Sequence, residues 1–446
     1  MKLQHESQTP SLLQTLQLIA NPPKFLESCA SKYGDTFTVR VLGLNSPPVV
    51  FFSHPQAIQE CFALPAKDLD FQKATHVFKP LFGEKSIVLQ ETRSHNRQRQ
   101  LLMPTFHGDY MITYGKLICQ ITEQVTQNWV DGTLISMQKE MPEITLQIIL
   151  QVVFGISPGI RFQKLKQLLS ALLEDVTTPL YSSLFFFPPL QQDLGAWSPW
   201  GNFIRRRQQI DELIYAEISQ RRVENDTSRT DILSLLMSAR DDKGEQMSDA
   251  ELRDQLVSLL LLGYETTSGA LAWLFYLIHS QEQVYEKLMS ELLACDRTPE
   301  AIAQLPYLTA VCQESLRLHP IALICTPRMV QNEVVVADEK FTKGTVLVPC
   351  IHLAHRRRET YPQPEQFQPE RFLNQKFSAY EYLPFGGGYR GCIGAAFSMY
   401  EMKLVLGTIL SHFRMRLSDR RPVKPARRGI TIVPSGGVPM TVERLT

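Results

Sequence analysis

Residues 385–394 read Phe385-Gly-Gly-Gly388-Tyr-Arg390-Gly-Cys392-Ile-Gly394, and an apolar run from Ala395 to about Phe413 continues as a helix. A cysteine is thus set in a glycine-rich loop at a helix start. Glycines let the backbone turn tightly and come close to a flat ligand. Backbone N–H groups and the positive helix end favour a thiolate, the form that ligates iron. Arg390, two residues earlier, suits an anionic group. The same glycines formally fit the dinucleotide fingerprint G-x-G-x-x-G, but they follow Leu-Pro-Phe rather than a buried strand, and no βαβ unit surrounds them. A second decoy, Gly155-Ile-Ser157-Pro158-Gly159, fits the nucleophile elbow G-x-S-x-G. That elbow needs the N–H of the residue after serine, and Pro158 has none.

Three further patterns precede the loop. Leu262-Gly263-Tyr264-Glu265-Thr266-Thr267 lies inside the apolar stretch Leu256–Ile278, Glu314-Ser-Leu-Arg317 follows, and Pro369-Glu-Arg371-Phe comes third. On a helix Glu314 and Arg317 share one face, so a carboxylate and a guanidinium can pair there and receive Arg371. In this order the four segments resemble the cytochrome P-450 monooxygenases, and the resemblance covers nearly the whole chain. It implies haem b (iron protoporphyrin IX) with Cys392 as iron ligand, in a loop framed by Phe385 and Gly394. It also implies a structural triad of Glu314, Arg317 and Arg371. Glu265 and Thr266 match the acid–threonine pair that delivers protons during dioxygen reduction, with Gly263 leaving room beside them. Leu262 departs from the family pattern, which has Ala or Gly there. His95 and Arg99 occupy the W-x-x-x-R segment, His replacing the commoner Trp, so Arg99, Arg328 and Arg390 are candidate propionate partners. More finely, Arg97–Gly108 and the cysteine loop look most like a cyanobacterial group associated with fatty acid and terpenoid oxidation.

Composition agrees with an ordinary globular chain. Of 446 residues 44% are hydrophobic and 20% charged, and 46 Lys plus Arg against 45 Asp plus Glu leave a formal charge of +1. Phosphate binding needs a cationic excess, so nucleic acid is not an expected partner. Eight cysteines without a C-x-x-C pair predict reduced thiols and a soluble, cytoplasmic protein. Ser11–Ala20 is amphipathic and too short to span a bilayer, and no cationic start or cleavage site marks a secretory signal. In Leu256–Ile278 an acid and three hydroxyls would sit at the bilayer midplane, which is costly. A long helix buried in protein is expected instead, with no transmembrane segment.

The expected fold is mainly α with smaller β-sheets (α+β), one large domain over residues 1–446. Strands are predicted at Thr36–Val41 and Val49–Phe52 as a hairpin, at Glu333–Val336 and Thr345–Ile351, and over Ile430–Val442, where Pro434–Gly437 would turn a second hairpin. Phe185–Pro189 with Trp197 and Trp200 reads as an aromatic helix connection, either loop packing or a hydrophobic access lid.

By resemblance, substrate-pocket candidates are Val77, Phe78, Leu81 and Phe82, then Leu259 and Leu262, then Ala322, Leu323 and Ile324. These apolar residues suit a hydrophobic, lipid-like small molecule. Lys73, His76 and Lys79 are candidates for a substrate carboxylate. No flavin domain has room after the cysteine loop, so electrons are expected from a ferredoxin or flavodoxin. Arg97, Arg99 and Arg356–Arg358 would offer it a basic face. The alternatives are a haem-thiolate isomerase or peroxygenase, and a non-catalytic haem sensor or lipid carrier.

Overall fold

The computed structural model describes residues 7, 9–43, 46–178, 184–185, 188–419 and 421–445. They form two compact units, one of Met1–His76, Ala310–Cys392 and Pro425–Arg427, the other of Val77–Thr309, Ile393–Lys424 and Arg428–Thr446.

In the first unit, strands β1 (Thr36–Val39), β2 (Val49–Phe52), β3 (Leu69–Asp70), β5 (Arg328–Val330) and β8 (Val346–Pro349) make a sheet ordered β1-β2-β8-β5-β3. Strands β1 and β2 pair antiparallel, Thr36 opposite Phe52, as the hairpin reading expects, whereas β2 and β8 run parallel. The period of two explains the unbroken apolar run of β2, because both faces are covered. Val49 and Phe51 pack with Phe25, Leu26 and Cys29 of the helix Pro22–Tyr33. Val50 and Phe52 pack with Ile58 and Cys61 of the helix Pro55–Ala63. Strands β6 (Val334–Val336) and β7 (Glu339–Phe341) pair beside this core.

The second unit is built on the helix Asp249–His279. Ser248 caps it with Glu251 in a reciprocal capping box, satisfying orphan backbone donors at its start. Mostly apolar from Leu256 onward, it is buried along most of its length and packed along the helix Met137–Phe154. No helix among the described residues is long and apolar enough to cross a membrane.

The predicted second hairpin is not formed. After β11 (Thr431–Pro434) the chain passes through Gly436 and Gly437 at φ 76° and 83°, and Val438 at φ 48°. It then enters β12 (Pro439–Arg444), which pairs with β4 (Leu134–Ser136) and β9 (Phe413–Leu417). The glycines redirect the strand to distant partners instead of folding it back. Strand β10 (Pro425–Arg428), absent from the sequence reading, precedes β11. Around the aromatic connection Phe185 packs on Trp200 and Phe203, while Trp197 is exposed; Phe186 and Phe187 lie outside the described residues.

Candidate functional site

In the cysteine loop Gly386 and Gly388 take φ 67° and 62°, values that only glycine adopts readily. A side chain on Gly387 would collide with the Phe62 ring. The Cys392 N–H donates to Phe385 O at 2.9 Å, closing the loop. Cys392 is exposed, whereas Cys29, Cys61, Cys312, Cys325 and Cys350 are buried. Burial pushes the thiols of Cys61 and Cys325 up to about 11 and about 12, which suits inert packing.

Two arginines of the same unit converge on one ring. Arg390 lies 4.5 Å from the Phe71 centroid and Arg328, itself buried, 5.8 Å from it; Arg328 also stands 4.8 Å over Phe62. Two guanidiniums are thus held against one ring by cation–π contacts, and each has the charge to meet an anionic group.

Glu314 and Arg317, on the helix Pro306–Leu318, are wholly buried. Arg317 grips Glu314 through two bonds, Nε–Oε2 at 2.6 Å and Nη2–Oε1 at 2.8 Å, and donates to the carbonyls of His355 and Pro364. Arg371 reaches Glu314 Oε1 at 3.3 Å, and the Gln368 N–H donates to the same oxygen at 2.9 Å. The pair thus clamps the segment leading to the cysteine loop.

In the second unit the middle of the long helix has one part-exposed stripe: Leu259, Leu262, Gly263 and Thr266. Their spacing of three and four residues places them on one face. Glu265 lies off this stripe and is buried. Its Oε1 is 3.3 Å from Arg428 Nε, and the Thr431 side chain lies beside the carboxyl. Burial pushes the Glu265 carboxyl above its ordinary range, with Arg428 and Thr431 pulling it back. The Thr266 hydroxyl donates to Leu262 O at 2.6 Å within its own helix. Sequence reading gave Glu265 no partner, because Arg428 lies far along the chain.

On the helix Thr92–Leu102, His95 is buried and Arg99 half-buried, one turn apart. Leu81 and Phe82 are buried, Val77 and Phe78 half-buried, and Leu323 and Ile324 half-buried beside an exposed Ala322. Lys73 and Lys79 are paired with Asp70 and Glu84.

Most of the proposed basic docking face is engaged inside the protein. Arg356 bonds His352 and Leu318 O and faces Glu27 at 3.6 Å, and Arg357 pairs with Asp35, leaving Arg358 as the exposed member of that trio. In the second unit Arg97 pairs with Asp241 at 2.5 Å and Glu251 at 2.8 Å. A run of arginines reads as a surface patch only until distant acids are placed.

Residues 4–438 match the model of the family Cytochrome P450. Cytochrome P450 135B1 of Mycobacterium bovis is 31% identical over 97% of this chain and 89% of its own. Cytochrome P450 135A1 of Mycobacterium tuberculosis is also 31% identical, over 96% of this chain and 92% of its own. A solved structure, retinoic acid bound cyanobacterial CYP120A1, has the same fold, with a TM-score of 0.84 at 22% identity over 97% of this chain and 96% of that one. The donors of this chain fit the family's haem b: an exposed thiol on a glycine loop, and two ring-held guanidiniums for anionic groups. The chain belongs to the cytochrome P450 family and is a haem b-dependent monooxygenase.

Proposed function

We propose that the enzyme oxidises a long-chain fatty acid or terpenoid, drawing electrons from a separate ferredoxin or flavodoxin. The observation that carries this reading is the part-exposed stripe Leu259, Leu262, Gly263 and Thr266 on an otherwise buried helix, which offers an apolar wall ending in a hydroxyl. Haem b, when bound, supplies the activation of dioxygen that inserts one oxygen atom into the substrate. Cys392 would hold the iron, and Arg390, Arg328, Arg99 and His95 would hold the anionic edge of the group. Leu259 and Leu262, with Val77, Phe78, Leu81 and Phe82, would orient an apolar chain and exclude water. Ala322, Leu323 and Ile324 would line the same substrate. Glu265 would supply protons and Thr266 would pass them on, once its hydroxyl turns from Leu262 O. Glu314, Arg317 and Arg371 would serve the architecture. Residues 1–446 would act as a single catalytic domain in the reducing cytoplasm, where Cys392 keeps its thiolate. The retinoic acid named with the cyanobacterial structure is an apolar acid of the class proposed.

The test is spectroscopic. Reduced protein with carbon monoxide should show the red-shifted thiolate Soret band, and Cys392→Ser should abolish it with the fold intact. Palmitic acid, a sesquiterpene and retinoic acid, titrated into the ferric protein, should displace iron-bound water at micromolar concentrations. Failure of all three would overturn the substrate class.

A further inference from the structure

Arg428 stands at the end of β10, where Gly429 turns the chain at φ 58° into β11. Its Nε–H donates to Thr177 Oγ1 at 3.3 Å, the same Nε stands 3.3 Å from Glu265 Oε1 as an ion pair, and Gly429 N–H donates to Thr177 O at 3.1 Å. Thr177 is the last residue of the helix Ile160–Thr177. The turn is closed by the Thr431 hydroxyl, which donates to Arg428 O at 2.7 Å. One guanidinium therefore joins the end of a helix to a carboxylate buried on another. The Arg428 side chain is 27% exposed against 9% for Glu265, so the guanidinium is the member of the pair that meets solvent.

We propose that Arg428 is a positioning residue for Glu265, holding the carboxylate at the solvent end of its path and setting how readily it regains a proton. The inference rests on the proton-supplying role of Glu265 given above. Each proton that Glu265 releases inward leaves a carboxylate, and a proton from solvent water restores the acid. The guanidinium stays charged throughout and transfers nothing. Besides Arg428, the groups facing Glu265 are the Thr431 hydroxyl on β11 and Tyr264 on its own helix, whose phenol burial and Glu265 push upward. Glu143 and Glu174, on the packed helices Met137–Phe154 and Ile160–Thr177, also act on Tyr264. Arg428 is thus the cation that offsets burial at Glu265.

The experiment compares holoenzyme of the wild type with Arg428→Gln, Arg428→Lys and Glu265→Gln. Infrared difference titration reads the carboxyl band that Glu265→Gln removes. The pH profile of dioxygen consumption, driven by NADPH, ferredoxin and its reductase, reads the consequence. In Arg428→Gln the band should titrate at least about one pH unit higher, a tenfold gain in proton affinity. The alkaline limb of the profile should move up with it, and Arg428→Lys should restore most of both. An unmoved band, or a moved band with a fixed limb, would overturn the inference while the role of Glu265 stands. An unchanged profile in Glu265→Gln would overturn that role and the inference with it.

Discussion

Two glutamates in this protein each meet an arginine, and the pairs are built in opposite ways. Glu314 and Arg317 are one helical turn apart, share two hydrogen bonds and are completely buried. Glu265 and Arg428 come from remote segments, touch through one long contact, and leave the arginine part-exposed. A buried, bidentate pair fixes geometry, because removing either partner strands the other charge in a low dielectric. A loose pair at the edge of solvent holds a group whose ionisation can change. The first suits a scaffold and the second, on the role proposed for Glu265, suits chemistry, although both are Glu–Arg pairs.

The sharpest way to break this contrast is to delete the tight pair. Arg317→Ala takes both of its bonds from the buried Glu314, which keeps only the longer Arg371 contact and the Gln368 N–H, and frees the carbonyls of His355, Pro364 and Gln366. A loss of about 3–5 kcal/mol is expected when one partner of such a buried pair is removed. Urea unfolding of the holoprotein measures it. A loss below about 1 kcal/mol, the range of surface pairs, would erase the distinction between the two pairs.

The histidines around the tight pair extend the contrast to pH. His352 accepts a bond from Arg356 at Nδ1 and gives its Nε2–H to Glu27, so its ring is neutral, and burial holds it down at about 4. His355 accepts the Leu383 N–H at Nε2 and is likewise held well below its ordinary value, first by burial and then by Arg317. Folded-state values below the unfolded value of about 6.5 mean that the unfolded chain binds protons more readily. Their contribution is therefore complete above pH 6.5 and is lost as pH falls toward 4. By linkage His352 alone should remove about 2 kcal/mol at pH 5. Denaturation midpoints of wild type and His352→Gln at pH 7.5 and pH 5 measure this. The variant should lose less stability on acidification, and equal losses would refute the assignment.

What could be read from the chain follows from how local each contact is. The cysteine loop and the Glu314–Arg317 pair are legible because their geometry is set by adjacent residues and by a spacing of three on a helix. The stripe from Leu259 to Thr266 was half legible: its polar residues stood out in an apolar run, but which face stays open depends on packing. Arg428 was not legible, since nothing near it marks Glu265 as its partner. The Arg356–Arg358 run misled for the same reason, with Glu27 and Asp35 lying far upstream. The Pro434–Gly437 turn misled because glycine permits a tight turn without choosing the strand that follows.

Gly263 gives the smallest effect and separates packing from chemistry on the helix that carries Glu265. A methyl group there would point at Ile149 Cδ1, the end of a flexible side chain on the neighbouring helix. Overpacking costs about 1 kcal/mol when such a neighbour can shift. Replacing glycine by alanine inside a helix returns about the same amount. Gly263→Ala should therefore change unfolding free energy by less than about 1 kcal/mol. Since the new methyl meets Ile149 rather than the Glu265 carboxylate, the pH profile of NADPH-driven dioxygen consumption should keep its limbs, and the carbon monoxide Soret band its position. A shifted limb would mean that the loose pair responds to packing two residues away. Glu265 and Arg428 would then be held by the helix as rigidly as Glu314 is held by Arg317.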